Sequence, residues 1–380
     1  MTANNRSISI IGAGIGGLTV ALTLRKAGFQ SHIFERAQFI EALGAGIILA
    51  GNAMQVMRDL GLSERLAEKG YPLDRMKIVD AKLQPLSMVN LEKVRQVFGV
   101  GSLAIHRADL QEALIEEAGM EHISLGKELI KADTGDVFTL TFADSSRLMT
   151  STLIGADGIR SAVREQLIAS PLIRRAGQVC WRGIEEFDLP ARFNRELNEI
   201  WGKGKRLGFV RVNSRQVYWY ALANSEMPKR KDFDLKTMFR DCHRDVQPLL
   251  ERIDISRSIK GEVMDIKPMN TWTRGAACLL GDAAHATTPN MGQGACQAIE
   301  DAYVLAKCLE KYEASEALER YVSLRVKKAN RVTDDSWMMG KISQLNSNAG
   351  IYFRNKLMRM TPNRIGEKRM MRLCALNYNL

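Results

Sequence analysis

The strongest constraint on this chain is a glycine cluster set between two different hydrophobic periodicities. Ile8 to Ile11 read as a buried strand, Gly12-Ala13-Gly14-Ile15-Gly16-Gly17 follow, and Leu18 to Ala27 have helical spacing. Gly28 stands where a helix would end, and Ile33-Phe34 restart a strand that closes on Glu35. This is a βαβ unit with G-x-G-x-x-G at its first turn. Gly12 permits the tight turn, Gly14 lets backbone approach a pyrophosphate, and Gly17 lets the helix pack on the strand. The 23 residues from Gly12 to Glu35 suit an acid that holds a ribose hydroxyl. With that context the segment reads as a dinucleotide site rather than a plain glycine-rich turn. Arg36 beside it could stack on adenine or stay a solvated charge, and the spacing leaves both open.

Length and charge narrow the class. At 380 residues the chain is long for one core, and 46% apolar with 26% charged residues is an ordinary globular balance. Fifty-four Lys and Arg against 43 Asp and Glu leave a formal charge of +11, which favours anionic partners without choosing among them. Ser7 to Leu24 is uncharged and near the start, but its glycines argue against a signal peptide or a membrane span. Six scattered cysteines show neither a disulfide framework nor zinc-ligand spacing, so a reducing, cytoplasmic setting and no metal site are expected.

Along the chain, Phe138 to Ala143 and Leu148 to Ile154 flank Asp144-Ser145-Ser146 as a hairpin running into Gly155. Between about Gly177 and Met264 the texture turns mostly β, with one helical stretch expected over Leu235 to Leu250. Ala276 to Leu280 return to a buried-strand pattern, followed by a helix from about Gly294 to Leu309 and a long one from about Ala314 to Leu345. The expected architecture is α/β: a discontinuous Rossmann-like domain (1–72, 100–176 and 263–330), an inserted β-sheet substrate domain (73–99 and 177–262), and a C-terminal helical region (331–380).

Two further motifs carry chemistry. Gly155-Ala156-Asp157-Gly158 follows a strand end and leads into a helix start capped by Ser161. Gly281-Asp282 opens a loop through His285, Pro289, Asn290, Gly292 and Gln293 to Gly294, where a helix begins. A strand, an acid and a Gly/Pro loop before a helix N-terminus again favour a phosphate or flavin site. Taken in order, the three motifs resemble those of the FAD-dependent aromatic hydroxylases, the single-component flavoprotein monooxygenases of the p-hydroxybenzoate hydroxylase fold. The resemblance covers roughly Ile8 to Ala329, and is nearest to the salicylate hydroxylase, zeaxanthin epoxidase and urate hydroxylase branch.

The resemblance implies that Gly12, Gly14 and Gly17 hold the ADP part of FAD and Glu35 its ribose, with Arg36 as the neighbouring candidate for the adenine. Arg107, in His106-Arg107-Ala108-Asp109-Leu110, would lie along it, and Gly46 would belong to a flavin-side loop. Asp157 and Gly158 are similar to a motif shared by FAD and NAD(P)H pyrophosphate. Gly281 and Asp282 would meet the ribityl chain, with Pro289, Gly292 and Gly294 beside the isoalloxazine. It implies NADH or NADPH as transient co-substrate, and O₂ insertion through a flavin C4a-hydroperoxide into a small aromatic or conjugated substrate. A related reductase or halogenase-like flavoprotein, or a non-catalytic carrier on the same fold, is the alternative.

For substrate, Arg206 and Tyr218 resemble residues that face urate in urate hydroxylases, and Asn290 stands where those enzymes place Asp, which sets urate aside. Tyr218 and Tyr220 share a strand face by alternation, and a hairpin turn at Ser214 would set residue 206 opposite 222, four residues from 218, which leaves open that Arg206 and Tyr218 are structural or solvated instead. His285 reads as a loop histidine satisfied locally rather than as a base. The tail from Ile351 to Cys374 has seven Lys and Arg against Glu367 alone. It reads as solvated helices with a packed apolar side, broken at Pro362. Peripheral contact with an anionic membrane is the secondary reading. No nucleic-acid module is seen, and a monomer or homodimer is expected.

Overall fold

The computed structural model describes residues 8–40, 44–227, 234–376 and 378; Ser7, where the uncharged segment starts, lies outside them. The first sheet runs Thr273–Arg274, Ala277–Leu279, Thr152–Gly155, Ile8–Ile11, Ser31–Phe34, Ile123–Ser124. All neighbours are parallel except the short antiparallel edge at Thr273–Arg274. Helix Ile15–Lys26 packs against it with nine buried residues, and its end at Gly28 takes a φ of 86°. The strands Ile8–Ile11, Thr152–Gly155 and Ala277–Leu279 lie side by side and point the same way. Their carboxyl ends therefore deliver the Gly12, Gly155 and Gly281 turns to one edge, where ligands of open parallel sheets bind.

The second sheet has seven strands in the order Ile259–Ile266, Ile173–Glu186, Gln216–Asn224, Lys205–Arg211, Glu196–Trp201, Arg75–Val79, Pro85–Asn90. Its two faces separate as alternation demands. Trp181, Phe209, Val217 and Trp219 bury against Phe239 and Leu249 on one side, while Leu197, Val210, Tyr218 and Tyr220 belong to the other.

This sheet starts at Ile173 and ends at Ile266, paired to each other, so it takes in residues on either side of 177 and 262. Two expected elements are corrected, the strand over 148–154 and the helix over 235–250. The run Leu148 to Ile154 is two strands, because Arg147–Thr150 pairs with Phe138–Phe142 whereas Thr152–Gly155 leaves for the first sheet. The helical stretch over 235–250 is broken into Leu235–Met238 and Gln247–Arg252. Pro248 opens the second of these, and a continuous helix would set its ring against the carbonyl of residue 244. Helix Ala314–Ser343 runs through 330 without interruption.

The tail forms helices Asn348–Met360 and Asn363–Cys374, separated at Thr361-Pro362. Met370 and Met371 of the second pack on the core as expected. The first departs from the expectation, since Phe353, Leu357 and Met360 face outward. No helix among the described residues is long and apolar enough to cross a membrane.

Candidate active site

The three turns enclose one cavity of ≈ 440 Å³ between the two sheets. Its floor is backbone. A Cβ on Gly12, whose φ is +105°, would lie 2.5 Å from the Ala156 carbonyl oxygen, and one on Gly17 would lie 1.9 Å from the Gly12 oxygen. These two glycines let the turn close on itself. Gly14, Gly158 and Gly292 line the cavity instead, and a Cβ on any of them would meet nothing within 4 Å. They leave room for a ligand to touch the main chain. Helices Ile15–Lys26 and Gly294–Lys311 both begin at the cavity with no side chain capping their first N–H groups. Both ends thus present free donors and a positive dipole end to whatever fills the space.

The acids around this floor behave differently. Glu35 lies at the edge of the first turn rather than on the cavity wall, where its carboxylate accepts from the N–H of Ala13 at 2.7 Å and of Ala37 at 2.9 Å. Arg36 next to it is exposed. Asp157 turns away from the cavity and accepts from the N–H of Val163 at 3.2 Å, while Ser161 caps Arg164 at 2.9 Å. Burial pushes the Asp157 carboxyl above the ordinary range, opposed by the hydrogen bonds it accepts from the Ser161 hydroxyl and the Val163 N–H. Asp282 faces the cavity, and its carboxylate has no hydrogen bond among the described residues. The surrounding protein raises its pKa, and His285 and Arg107 pull it back down. Arg107 also lines the cavity and opens a helix whose N-cap is His106; its side chain lies against Gly44.

Behind the Gly281 loop is a buried ionic cluster. Asp301 accepts from the Gly281 N–H at 3.0 Å, from Arg325 at 2.6 Å and from His285 at 2.5 Å. Burial alone would raise the Asp301 carboxyl, but His285 and Arg325 hold it at about 2. His285 is therefore satisfied locally, as expected, and braces the loop. Arg164, buried on the other side, donates to the carbonyls of Ala283 and Ile159 and ties the second motif to the third.

At the far end the wall is made of side chains from the seven-stranded sheet. Arg206 opposes Leu222, as the hairpin arithmetic requires, and both Arg206 and Tyr218 reach the cavity. The Arg206 guanidinium, 1% exposed, turns to Glu199 at 3.2 Å and to the Asn290 side-chain oxygen at 2.5 Å. Asn290 is held in place by Thr288 and by the Ser336 carbonyl. Glu199 also accepts from Trp201 and from the Tyr220 hydroxyl. Tyr218 differs from these, since its hydroxyl has no hydrogen bond among the described residues. Burial first, and then the charges of Cys180 and Glu199, push its pKa up, so it stays a neutral O–H. Two glycines make this wall possible: a Cβ on Gly46 would lie 2.3 Å from the Tyr218 ring, and one on Gly208 would lie 2.0 Å from that of Tyr220.

Residues 6–336 match the family described as FAD binding domain. This chain belongs to the FAD-dependent aromatic hydroxylases. It is 37% identical to the aurachin C monooxygenase/isomerase of Stigmatella aurantiaca over 361 residues, covering 93% of this chain and 94% of that one. It is 32% identical to a 2-heptyl-3-hydroxy-4(1H)-quinolone synthase of Pseudomonas aeruginosa, covering 94% of each. Klebsiella pneumoniae HpxO, solved with FAD and uric acid, superposes with a TM-score of 0.89 at 27% identity over 98% of this chain and 97% of that one. This hydroxylase is accordingly an FAD-dependent monooxygenase.

Of the site residues read from the sequence, Gly14, Gly46, Arg107, Gly158, Arg206, Tyr218, Gly281, Asp282, Pro289, Asn290, Gly292 and Gly294 line the hydroxylase cavity. Gly12, Gly17, Glu35, Arg36 and Asp157 do not: the first two shape the turn from behind, and the carboxylates of Glu35 and Asp157 hold backbone. Sequence reasoning missed Arg182, Glu199 and Met370 on the wall. Arg182 pairs with Tyr220 across antiparallel strands, and only that register could have revealed it. Tyr220 was visible by alternation with Tyr218.

Proposed function

We propose that this hydroxylase uses NADH or NADPH and O₂ to hydroxylate a neutral N-heteroaromatic ring of the 4-quinolone class that carries an alkyl arm. The observation that carries the substrate reading is the open Tyr218 hydroxyl. It is a neutral donor beside Arg206, which is already matched by Glu199, with Arg182 on the same wall. Beside it Leu197, Met76 and Met370 gather in one apolar cluster. A ring oxygen can accept from Tyr218 while an alkyl arm lies on that cluster. A urate-like anion would instead compete with Glu199 for Arg206. The 2-heptyl-3-hydroxy-4(1H)-quinolone synthase and the aurachin enzyme among the relatives support the same class.

The residues divide the work. Gly12 and Gly17 close the turn, and Gly14, Gly158 and Gly292 leave main chain open to the cofactor. The two uncapped helix ends donate to its anionic and electron-rich parts. Glu35 fixes the turn that meets its ribose, and Asp282 offers an acceptor to its hydroxyls. Arg107, Gly281, Pro289 and Gly294 complete the contact, with Asp157 holding the Gly158 loop and Arg36 at the outer rim. Bound FAD supplies electron transfer from the nicotinamide and activation of oxygen. Tyr218 orients the substrate ring and keeps its proton at Oη, while the Met and Leu wall excludes water.

The test is NAD(P)H oxidation by the FAD-loaded enzyme with 2-heptyl-4(1H)-quinolone, urate or salicylate, with peroxide measured in parallel. The quinolone should stimulate turnover and yield a hydroxylated product with little peroxide. Stimulation by urate and not by the quinolone would reject the substrate class.

A further inference from the structure

We propose that the outward face of helix Asn348–Met360, continued by the start of helix Asn363–Cys374, is a docking surface for an anionic lipid bilayer. The first helix is turned the opposite way from an ordinary surface helix. Arg354 points inward, donating to the Ser343 carbonyl at 3.1 Å and lying over the Trp201 ring at 5.2 Å. Phe353, Leu357 and Met360, at helical spacings of four and three, point outward and are 67%, 68% and 70% exposed. Ile365 on the next helix is 57% exposed. Such a cluster on one side of a protein marks an interaction surface more often than a solvated one.

The charges choose the occupant. Lys356, Arg364, Lys368 and Arg372 are exposed on the same two helices and have no ion pair among the described residues. The one acid there, Glu367, is already bound to Lys93 at 2.5 Å. Arg359 and Arg369 are paired with Asp80 and Asp335. A second copy docked on this face through a two-fold axis would bring the unpaired cations against their own images. A flat anionic surface neutralises them together while the apolar stripe enters the acyl boundary, with the lysine and arginine stems reaching up to the headgroups. The surface also lies next to the active site, because the helix that exposes Ile365 sends Met370 into the cavity. The docking proposal stands on the surface alone and does not depend on the substrate reading.

The experiment is co-sedimentation of the FAD-loaded, full-length protein with neutral phosphatidylcholine vesicles and with vesicles holding about 30% phosphatidylglycerol, at low and high salt. Two variants accompany it, F353S/L357S/M360S and K356E/K368E, each checked for FAD content and helical signal. The expected result is binding to the anionic vesicles only, weakened by salt, and reduced about tenfold or more by either variant. Because the second variant leaves the apolar stripe intact, it keeps the test decisive should the first fail to fold. Three results would overturn the proposal: no binding to anionic vesicles at low salt, binding unchanged by a folded variant, or a concentration-dependent dimer that the serine variant dissolves while vesicles capture nothing.

Discussion

The two ends of the cavity are built from different materials. The end between the parallel strands is backbone: glycines without neighbours, helix ends without caps and carbonyls in van der Waals reach. The end against the seven-stranded sheet is side chain: Tyr218, Tyr220, Arg206 and Glu199, brought together by strand register. Behind that surface, at Gly12 and Gly17, the turn tolerates almost no added atom, while Gly14, Gly158 and Gly292 on the surface itself keep room for a ligand. A side-chain surface can exchange one group for another and so change what it accepts. The first suits a constant cofactor and the second a substrate that differs between relatives on one fold.

That contrast breaks most sharply at Gly17. A methyl there has to enter the space of the Gly12 carbonyl, whose oxygen is 1.9 Å away, with the Ala156 side chain at 3.5 Å. Gly17→Ala is expected to cost about 3 kcal/mol or more through overpacking. It should yield a protein that purifies without flavin colour and melts at lower temperature. Retention of full FAD with an unchanged melting temperature would show that the turn is not the rigid floor described above.

Asp282 comes next in size. Its carboxylate faces the cavity without a hydrogen bond from the described residues, so Asp282→Ala removes an acceptor without opening the fold. If it takes a hydrogen bond from the cofactor, the loss is about 1.5–3 kcal/mol for a charged acceptor, or roughly tenfold to a hundredfold in FAD dissociation constant. Equilibrium titration of the apoprotein measures it. An unchanged constant would remove Asp282 from the cofactor side.

The first of these regions was largely legible in the sequence and the second was not, for a physical reason. Ile8–Ile11, the glycine turn and helix Ile15–Lys26 are fixed by neighbours in the chain, so periodicity and glycine placement describe them. The three motifs could be read separately, and parallel strand order then brought them to one edge. Glu199 reaches Tyr220 through two successive hairpins, but Arg182 does so only by the pairing of 173–186 with 216–224, and Met370 arrives on helix Asn363–Cys374, far further along the chain. No local signal encodes that. The same limit explains Gly46. As a motif it belonged to a flavin-side loop, yet its missing side chain is what makes room for the Tyr218 ring.

Gly46 is thus where the two regions touch, and it offers a test of moderate size. Gly46→Ala forces the Tyr218 ring out of its place, which should raise the substrate KM by about tenfold if overpacking costs ~1–2 kcal/mol. Pairing it with Tyr218→Ala should restore space, so the double variant loses less than the sum of the two single ones. Strict additivity would mean that Gly46 serves the cofactor side alone.

The smallest effect is expected at the Tyr218 hydroxyl itself. Tyr218→Phe keeps the ring that packs at 5.6 Å from Tyr220 and fits over Gly46, and removes only a neutral donor. One neutral hydrogen bond is worth about 0.5–1.5 kcal/mol net, so KM for the accepted ring should rise between roughly twofold and tenfold. FAD affinity should not move, because the hydroxyl belongs to the side-chain end. Since burial holds the Tyr218 pKa far above neutrality, the wild-type contribution should also be flat from pH 6 to 9, roughly the range in which an ordinary tyrosine stays protonated. A pH-dependent KM that vanishes in Tyr218→Phe would contradict the neutral donor. An FAD constant that changes with it would join the two ends of the cavity that the geometry keeps apart.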